Sequence, residues 1–440
     1  MSKTLKGIVE EIILDFHQRS ISKTTPREGD LEPVSNKATV CIGVRRSGKS
    51  TLMMQQVQKL ELSGVSRENM VYVNLFDDRL HQLQEIGLGI ILDVYYRLHP
   101  QKKGAEKVYF FFDELQVIPN WEPFVDRLMR TELCEVYITG SSAQYLSKEI
   151  ATQMRGRALS WEVFPFSFTE FLTHSGVHHG PHLSSKDRAF VEEGFERYWK
   201  QGGFPETVGL SAQLRIRIHQ EYRSTIIFRD IIERHDISHP KAIRDLVQRV
   251  LENVGSLYSL NKLNGYLKSL GHKVPKATLS LYLSWLEDAY FIFTVKLFDS
   301  SLARVNTNPK KAYCVDHALV RSCTSGVLLN SGHLLENLVF LALRRLSPGI
   351  HYYKTKQGWE VDFIVVLYRG QKLLVQVCEK MEHLETRKRE LRSLQQGMKE
   401  LSLMQGFVVT REETTEIQQD DGSVIHILPA WKFCLMCSSL

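Results

Sequence analysis

The sequence predicts an α/β protein, and three observations predict it. Over residues 38–141, short apolar runs alternate with segments of helical periodicity. The runs are apolar at consecutive positions, the pattern of strands buried on both faces of a parallel sheet. The order strand, helix, strand, helix is that of a doubly wound domain with helices on both sides.

The elements follow in order. ATVCIGV (38–44) is a strand and STLMMQQVQKL (50–60) a helix. MVYVNL (70–75) is the second strand, QEIGLGIILDVYYRL (84–98) one helix, KVYFFFDE (107–114) the third strand and CEVYITGS (134–141) the fourth. LSWEVF follows as a strand after Arg155-Gly156-Arg157. Beyond Leu172 the character changes: THSGVHHGPHLSSKDR (173–188) is a polar loop or linker, and residues 189–255 read as helices broken at QGGFPE (201–206). SLNKLNGYLKSLG (259–271) is a short helix with a glycine stop, and PKATLSLYLSWLEDAYF (275–291) a second helix led by proline. FIFTVKLFDSS (291–301) and KKAYCVD (310–316) are two strands around a polar tip, which makes helix, turn, helix, hairpin: a winged-helix pattern. From about 326 an amphipathic helix (331–347) precedes three strands, a charged helix (384–400) and the strands GFVVT and VIHILPAW. The expected division is therefore 1–172, 173–325 and 326–440.

Composition bounds the function classes. The 440 residues are 43% hydrophobic and 24% charged, as in folded soluble proteins, and are too many for one ordinary domain. A net charge of +6 permits contact with nucleic acid or phosphate without demanding it. The densest basic run, Arg387-Lys388-Arg389, is flanked by Glu385 and Glu390 and reads as a solvated helix face. Seven scattered cysteines, an odd number, argue against a disulfide framework and for a reducing compartment. Cys434 and Cys437 have no second pair at zinc-site spacing. The start lacks the continuous apolar core of a signal peptide, and no apolar run approaches the roughly 20 residues of a membrane helix. A cytoplasmic protein without membrane contact is expected.

The chemistry sits in Gly43-Val-Arg-Arg-Ser-Gly-Lys-Ser50, a complete G-x-x-x-x-G-K-[ST] loop between a strand and a helix. Glycines let backbone N–H groups wrap a phosphate, and the helix N-terminus adds donors and a favourable dipole. Gly43, Arg45, Arg46, Ser47, Gly48, Lys49, Ser50 and Thr51 are the expected ATP-binding residues, with Lys49 on the β/γ-phosphates and Ser50 on Mg²⁺. An acidic pair at a strand end is by itself an ordinary turn. On the same sheet as a phosphate loop, Asp113 becomes the expected Mg²⁺ ligand and Glu114 the base that activates water. Ser141 or Ser142, at the tip of the fourth strand, is expected to position that water or sense the γ-phosphate, with Ser142 preferred. Arg157, or Arg155 beside it, is expected to neutralise transition-state charge, in cis or across a subunit contact.

GVRRSGKSTL, VNLFDDRL, FFDELQVIPNWE, YITGSSAQYLSKEIATQMRGR and FPFSFTEF resemble, in order, the landmarks of a group of prokaryotic AAA-type ATPases. GGFPE (202–206), HLLENLVF (333–340), YYKTKQGWEVDF (352–363), VQVCEK (375–380) and TRKREL (386–391) resemble the domain of unknown function 4143 that usually follows such an ATPase. The resemblance runs from about 35 to 432 and implies ATP binding on a P-loop, AAA-like core. The last unit also resembles the restriction-endonuclease-like fold, whose active members carry one acid on the first helix, one on the second strand and E-x-K on the third. The matching positions are Glu336, Asp362 (with Glu360 near) and Gln376-Val377-Cys378. Gln376 stands where a metal-binding carboxylate is expected and Cys378 where a lysine is expected, so nuclease activity is not expected unless Lys354, Lys356 or Lys380 substitutes.

Three functions remain open. The first is an ATPase whose nucleotide state switches its C-terminal domains, with DNA or a protein as partner. The second is an ATP-regulated nuclease, and the third a nucleotide-binding scaffold with little turnover. Lys262, Lys268, Lys273 and Lys276 cluster modestly around the helix-turn-helix and permit a DNA contact, which Glu287 and Asp288 oppose; a winged helix that serves only as a structural connector is the alternative. The oligomeric state is not encoded in any of these features.

Overall fold

Strand β1 (Ala38–Ile42) is buried at every position, and it seeds a sheet that fulfils the doubly wound expectation. With β2 (Met70–Asn74), β3 (Val108–Asp113), β4 (Cys134–Gly140) and β5 (Ala158–Glu162) it forms a five-stranded sheet in the order β2-β3-β4-β1-β5, parallel throughout. The computed structural model describes residues 4–140, 156–325 and 330–440. Side chains of β3 alternate between two covered faces. Phe110 and Phe112 meet Tyr95 of the helix Gly89–Leu98 and Phe124 of the helix Glu122–Thr131. Phe111 stacks on Tyr137 at 4.7 Å and joins the core under the helix Lys49–Leu62, with Cys41, Met53 and Val57. That packing fixes the start of this helix relative to the ends of β1, β3 and β4.

Contacts divide the chain into one compact unit of residues 1–165 with 288–290 and another of residues 166–287 with 291–440. The second unit begins with the helices Phe168–His174, Ser185–Gln201, Ala212–Thr225 and Pro240–Glu252. A nine-stranded mixed sheet follows. Its members are β6 (Leu257–Tyr258), β7 (Ile292–Leu297), β8 (Lys310–Cys314), β9 (Ile350–Lys354), β10 (Glu360–Val366), β11 (Lys372–Val377), β12 (Gln405–Thr410), β13 (Thr415–Gln418) and β14 (Val424–Pro429), in the order β13-β14-β12-β11-β10-β9-β7-β8-β6. Helices Leu260–Ser269 and Lys276–Asp288 precede the antiparallel β7/β8 pair, in the expected element order, and β6 pairs with β8. A short helix, Leu302–Thr307, occupies the hairpin tip, where the sequence predicts only a polar tip between two strands.

Two further differences have local causes. Residues 84–98 form two helices rather than one, Leu83–Ile86 and Gly89–Leu98, because Gly87 takes φ +84° and ends the first. The tail beyond β14 is a helix, Ala430–Ser439, led by Pro429 rather than continued strand. Among the described residues no helix is long and apolar enough to cross a membrane.

Candidate nucleotide site

The loop between β1 and the helix Lys49–Leu62 has a backbone that its sequence dictates. A Cβ on Gly43 would lie 2.1 Å from the Val163 carbonyl oxygen, so the loop can run against β5 only with glycine there. Gly48 takes φ +99° and caps the helix N-terminus, leaving the first-turn N–H groups directed at the loop. Arg46 is also left-handed, at φ +64°. Ser47 is fully buried, and its hydroxyl has no hydrogen-bond partner. An orphaned buried donor of this kind costs about 1–3 kcal/mol, so an acceptor oxygen delivered to the loop would be favoured. Lys49 is buried, and its ammonium donates to the carbonyl oxygens of Gly43 and Val44, both at 3.0 Å. Arg45 is half-buried, Arg46 and Ser50 are exposed, and Thr51 is half-buried in the first helical turn.

Arg27, outside the motif, braces this loop. Its guanidinium donates to the Ser47 carbonyl at 2.8 Å and to the Phe164 carbonyl. It reaches the loop from 20 residues upstream, and no spacing rule would have found it.

The acidic pair lies at the end of β3. Asp113 is 1% exposed and accepts from the Tyr72 phenol at 2.8 Å and from the Thr139 hydroxyl. The Thr139 oxygen in turn accepts the Glu114 backbone N–H at 3.0 Å. Glu114 takes the left-handed φ +58°, costly for a non-glycine residue, and its carboxylate accepts from the Gln116 amide at 2.5 Å. Burial, and next the Asp113 charge, hold the Tyr72 phenol protonated far above its ordinary range, so it remains a donor. The Cys41 thiol on β1 is pushed up to about 12, first by burial, with Lys49 opposing and Asp113 reinforcing the shift. Cys41 is level with Thr139 across β1 and β4, and feels both charges.

These observations fit a nucleotide triphosphate with Mg²⁺. The loop has its helix N-terminus, an orphaned hydroxyl and a buried ammonium, and a buried carboxylate stands at the end of a strand two places away in the same sheet. Ser141, Ser142 and Arg155 lie outside the described residues. The structure does not bring Arg157 to the loop. The Ala38 N–H donates to the Arg157 carbonyl at 2.9 Å, which sets Arg157 beside the first residue of β1, whereas the loop leaves its last. The Arg157 guanidinium instead pairs with Asp126 at 2.9 Å.

The residues matched to a nuclease centre converge, around an unexpected partner. The Lys311 ammonium, from β8, stands 2.9 Å from Glu336, 2.9 Å from Asp362 and 3.0 Å from Glu360. The Tyr313 hydroxyl adds a 2.6 Å bond to Glu336. Burial, then Asp362, push the Glu336 carboxyl up to about 7. Gln376 turns elsewhere, accepting from the Asp362 N–H at 3.2 Å and donating to Glu390 at 2.7 Å. Lys354 is 4.0 Å from Glu360, while the Cys378 thiol donates to the Lys380 carbonyl.

Three family models match in succession: the AAA domain over residues 35–172, a domain of unknown function (DUF8612) over 192–327 and another (DUF4143) over 331–433. An uncharacterized protein of Methanocaldococcus jannaschii is 32% identical over 98% of this chain and 96% of its own. One of Haemophilus influenzae is 31% identical over 74% of this chain and 78% of its own. Among solved structures, the Walker-type ATPase of Pyrococcus abyssi aligns with a TM-score of 0.40 at 15% identity, over 65% of this chain and 90% of that one. The Aeropyrum pernix ORC1 protein in complex with DNA aligns with a TM-score of 0.31 at 13% identity, over 72% of this chain and 90% of that one.

Proposed function

Because the chain belongs to the family of AAA-domain proteins that carry the domain of unknown function 4143, we propose that it binds ATP with Mg²⁺ and hydrolyses it. The reading extends to a switch: the nucleotide state changes the arrangement of the parts at 173–325 and 326–440, while 1–172 holds the nucleotide. The observation that carries the reading is the single hydroxyl of Thr139, bonded both to the Asp113 carboxylate and to the Glu114 backbone, on the strand between β3 and β1.

In this mechanism the backbone of Gly43 to Thr51 and the Ser47 hydroxyl wrap the phosphates, with Arg45 and Arg46 adding positive charge. Lys49 exchanges its carbonyl partners for phosphate oxygens, a charge-assisted and stronger bond. Mg²⁺, held by Ser50 and Asp113, would supply neutralisation of the β- and γ-phosphate charge. Glu114, oriented by Gln116, takes the proton of the attacking water. Ser142 positions that water. Arg157, paired with Asp126 at the other end of the sheet, is left with a role across a subunit contact.

DNA is the proposed partner of the helix-turn-helix and hairpin, read as a winged helix. Lys268, Lys273 and Lys276 line a cleft of about 580 Å³ at the corner of the two helices, and Lys262 is exposed on the first of them. A cytoplasmic location is part of the same reading. The test is phosphate release from ATP, with and without duplex DNA, by the wild type and Glu114→Gln. Binding should be equal in the two proteins and release should fall by about 10²–10⁴ in the variant. Normal turnover by the variant removes Glu114 from the mechanism. Indifference to DNA removes DNA as the partner and leaves a protein.

A further inference from the structure

The endonuclease-like resemblance implies a divalent metal among Glu336, Glu360 and Asp362, and the residues present do not fit one. Mg²⁺ requires oxygen ligands at about 2.0–2.1 Å in near-octahedral array. Here the three carboxylates instead surround an ammonium at hydrogen-bonding distances of 2.9, 3.0 and 2.9 Å. Lys311 is 3% exposed, so its charge has no solvent to fall back on. Two further donors serve the cluster: Tyr313 donates to the same Glu336 oxygen as Lys311, and the Val377 N–H donates to the other Asp362 oxygen at 3.0 Å. Gln376, at the position of the missing carboxylate, spends its amide on Glu390 and on the Asp362 backbone. Among the described residues no group of three or more His, Cys, Asp or Glu side chains is arranged to hold a metal ion.

We propose that Lys311 is the resident cation of this cluster: its ammonium stands where a divalent metal would, so that the carboxylates lock β8 to β10 and to the helix Ser331–Leu346 and hydrolyse nothing. Three elements distant in sequence thereby share one buried charge centre, 25 and 51 residues apart in the two hydrogen-bonded pairs. The lock is independent of the ATPase reading, because both its partners and its test lie outside the phosphate loop.

The test uses the full chain without nucleotide and Mn²⁺ as the probe, followed by the electron paramagnetic resonance of free Mn²⁺. Wild type and Asp362→Asn should bind Mn²⁺ equally, and neither should cut DNA with it. Lys311→Met removes the cation while keeping an unbranched side chain. It should gain Mn²⁺ binding at least about tenfold tighter than wild type, with a rise in melting temperature on adding the metal. Adding Asp362→Asn to Lys311→Met should abolish that gain. Binding or cleavage by the wild type that disappears in Asp362→Asn overturns the proposal. So does a folded Lys311→Met, with a wild-type circular dichroism spectrum, that gains no Mn²⁺ binding. If Lys311→Met does not fold, the wild-type and Asp362→Asn pair decides alone: equal binding supports the lock and unequal binding ends it.

Discussion

Two regions of this molecule are built from the same materials, a buried lysine and a buried aspartate on a strand, and they arrange them in opposite ways. At the phosphate loop, Lys49 donates to main-chain carbonyls and Asp113 accepts from the neutral hydroxyls of Tyr72 and Thr139. In the nine-stranded sheet, Lys311 pairs directly with three carboxylates and donates to two of them, Glu336 and Asp362. Neutral partners satisfy a charged group without cancelling it, so the charge can still act on a ligand. Direct pairing in a poorly solvated interior cancels most of the field and converts the charges into structure.

The largest expected effect lies in the first region. Lys49→Ala should weaken ATP binding by at least about tenfold to a hundredfold, as fits the loss of a charge-assisted bond, while the thermal stability of the second unit stays unchanged. Calorimetric titration with ATP checks it, and wild-type affinity would sink the assignment of the loop.

Thr139→Val comes next. It removes the donor to Asp113 and the acceptor for the Glu114 N–H without changing side-chain shape. A cost of about 1–3 kcal/mol is expected, read in urea denaturation and in a reduced rate of phosphate release. An effect on stability alone would make Thr139 a packing residue.

The second region should respond to pH instead. Glu336 titrates near 7 in the folded chain against an ordinary 4.5, so the unfolded chain gives up its proton first as pH rises. Stability from this group is therefore complete below about pH 4.5 and is lost progressively up to about pH 7. Lys311, Tyr313, Asp362, Glu360 and His333 are the charged or titratable groups around it. Glu336→Gln should flatten the fall in melting temperature across that window, by a share on the order of 3 kcal/mol. An unaltered slope would show that the carboxyl is ionised throughout.

The smallest effect is expected at Ser47. Ser47→Ala should leave the nucleotide-free protein as stable as wild type or slightly more so, since the hydroxyl has no partner to lose. In the presence of ATP it should lose about 0.5–1.5 kcal/mol of ligand-induced stabilisation. A loss in the nucleotide-free protein would mean the hydroxyl is satisfied there after all.

The same contrast explains what the sequence made legible. The phosphate loop and the Asp113-Glu114 pair are contiguous, and their chemistry is written in adjacent letters. The parallel sheet was legible because strands such as VYFFFD are apolar on both faces. Thr139, Tyr72 and Arg27 were not found, because sheet register and a long approach of the chain bring them to the site. Lys311 is hidden in the sequence for the same reason: it lies on β8, far from the E-x-K position, and only the sheet brings it to Glu336 and Asp362. Strand β13, TEIQ, is a polar edge strand without an apolar alternation to betray it. The helix Leu5–Gln18 does show helical spacing of its buried residues Leu5, Val9, Ile13 and Phe16, but it precedes the strand–helix alternation that marks the domain.

The pairing of β7 with β9 joins segments that separate family models claim, one ending at residue 327 and the next beginning at 331. Lys296 and Leu297 lie level with His351 and Tyr352, and Tyr352 is fully buried. A fragment cut at 331 would carry β9 as a bare edge, open to pairing with any other chain, and would leave Glu336 and Asp362 without their counter-ion. The last hundred or so residues are thus poor cargo for shuffling between proteins. A piece that keeps the charge centre intact has to include β8 along with the strands that follow it.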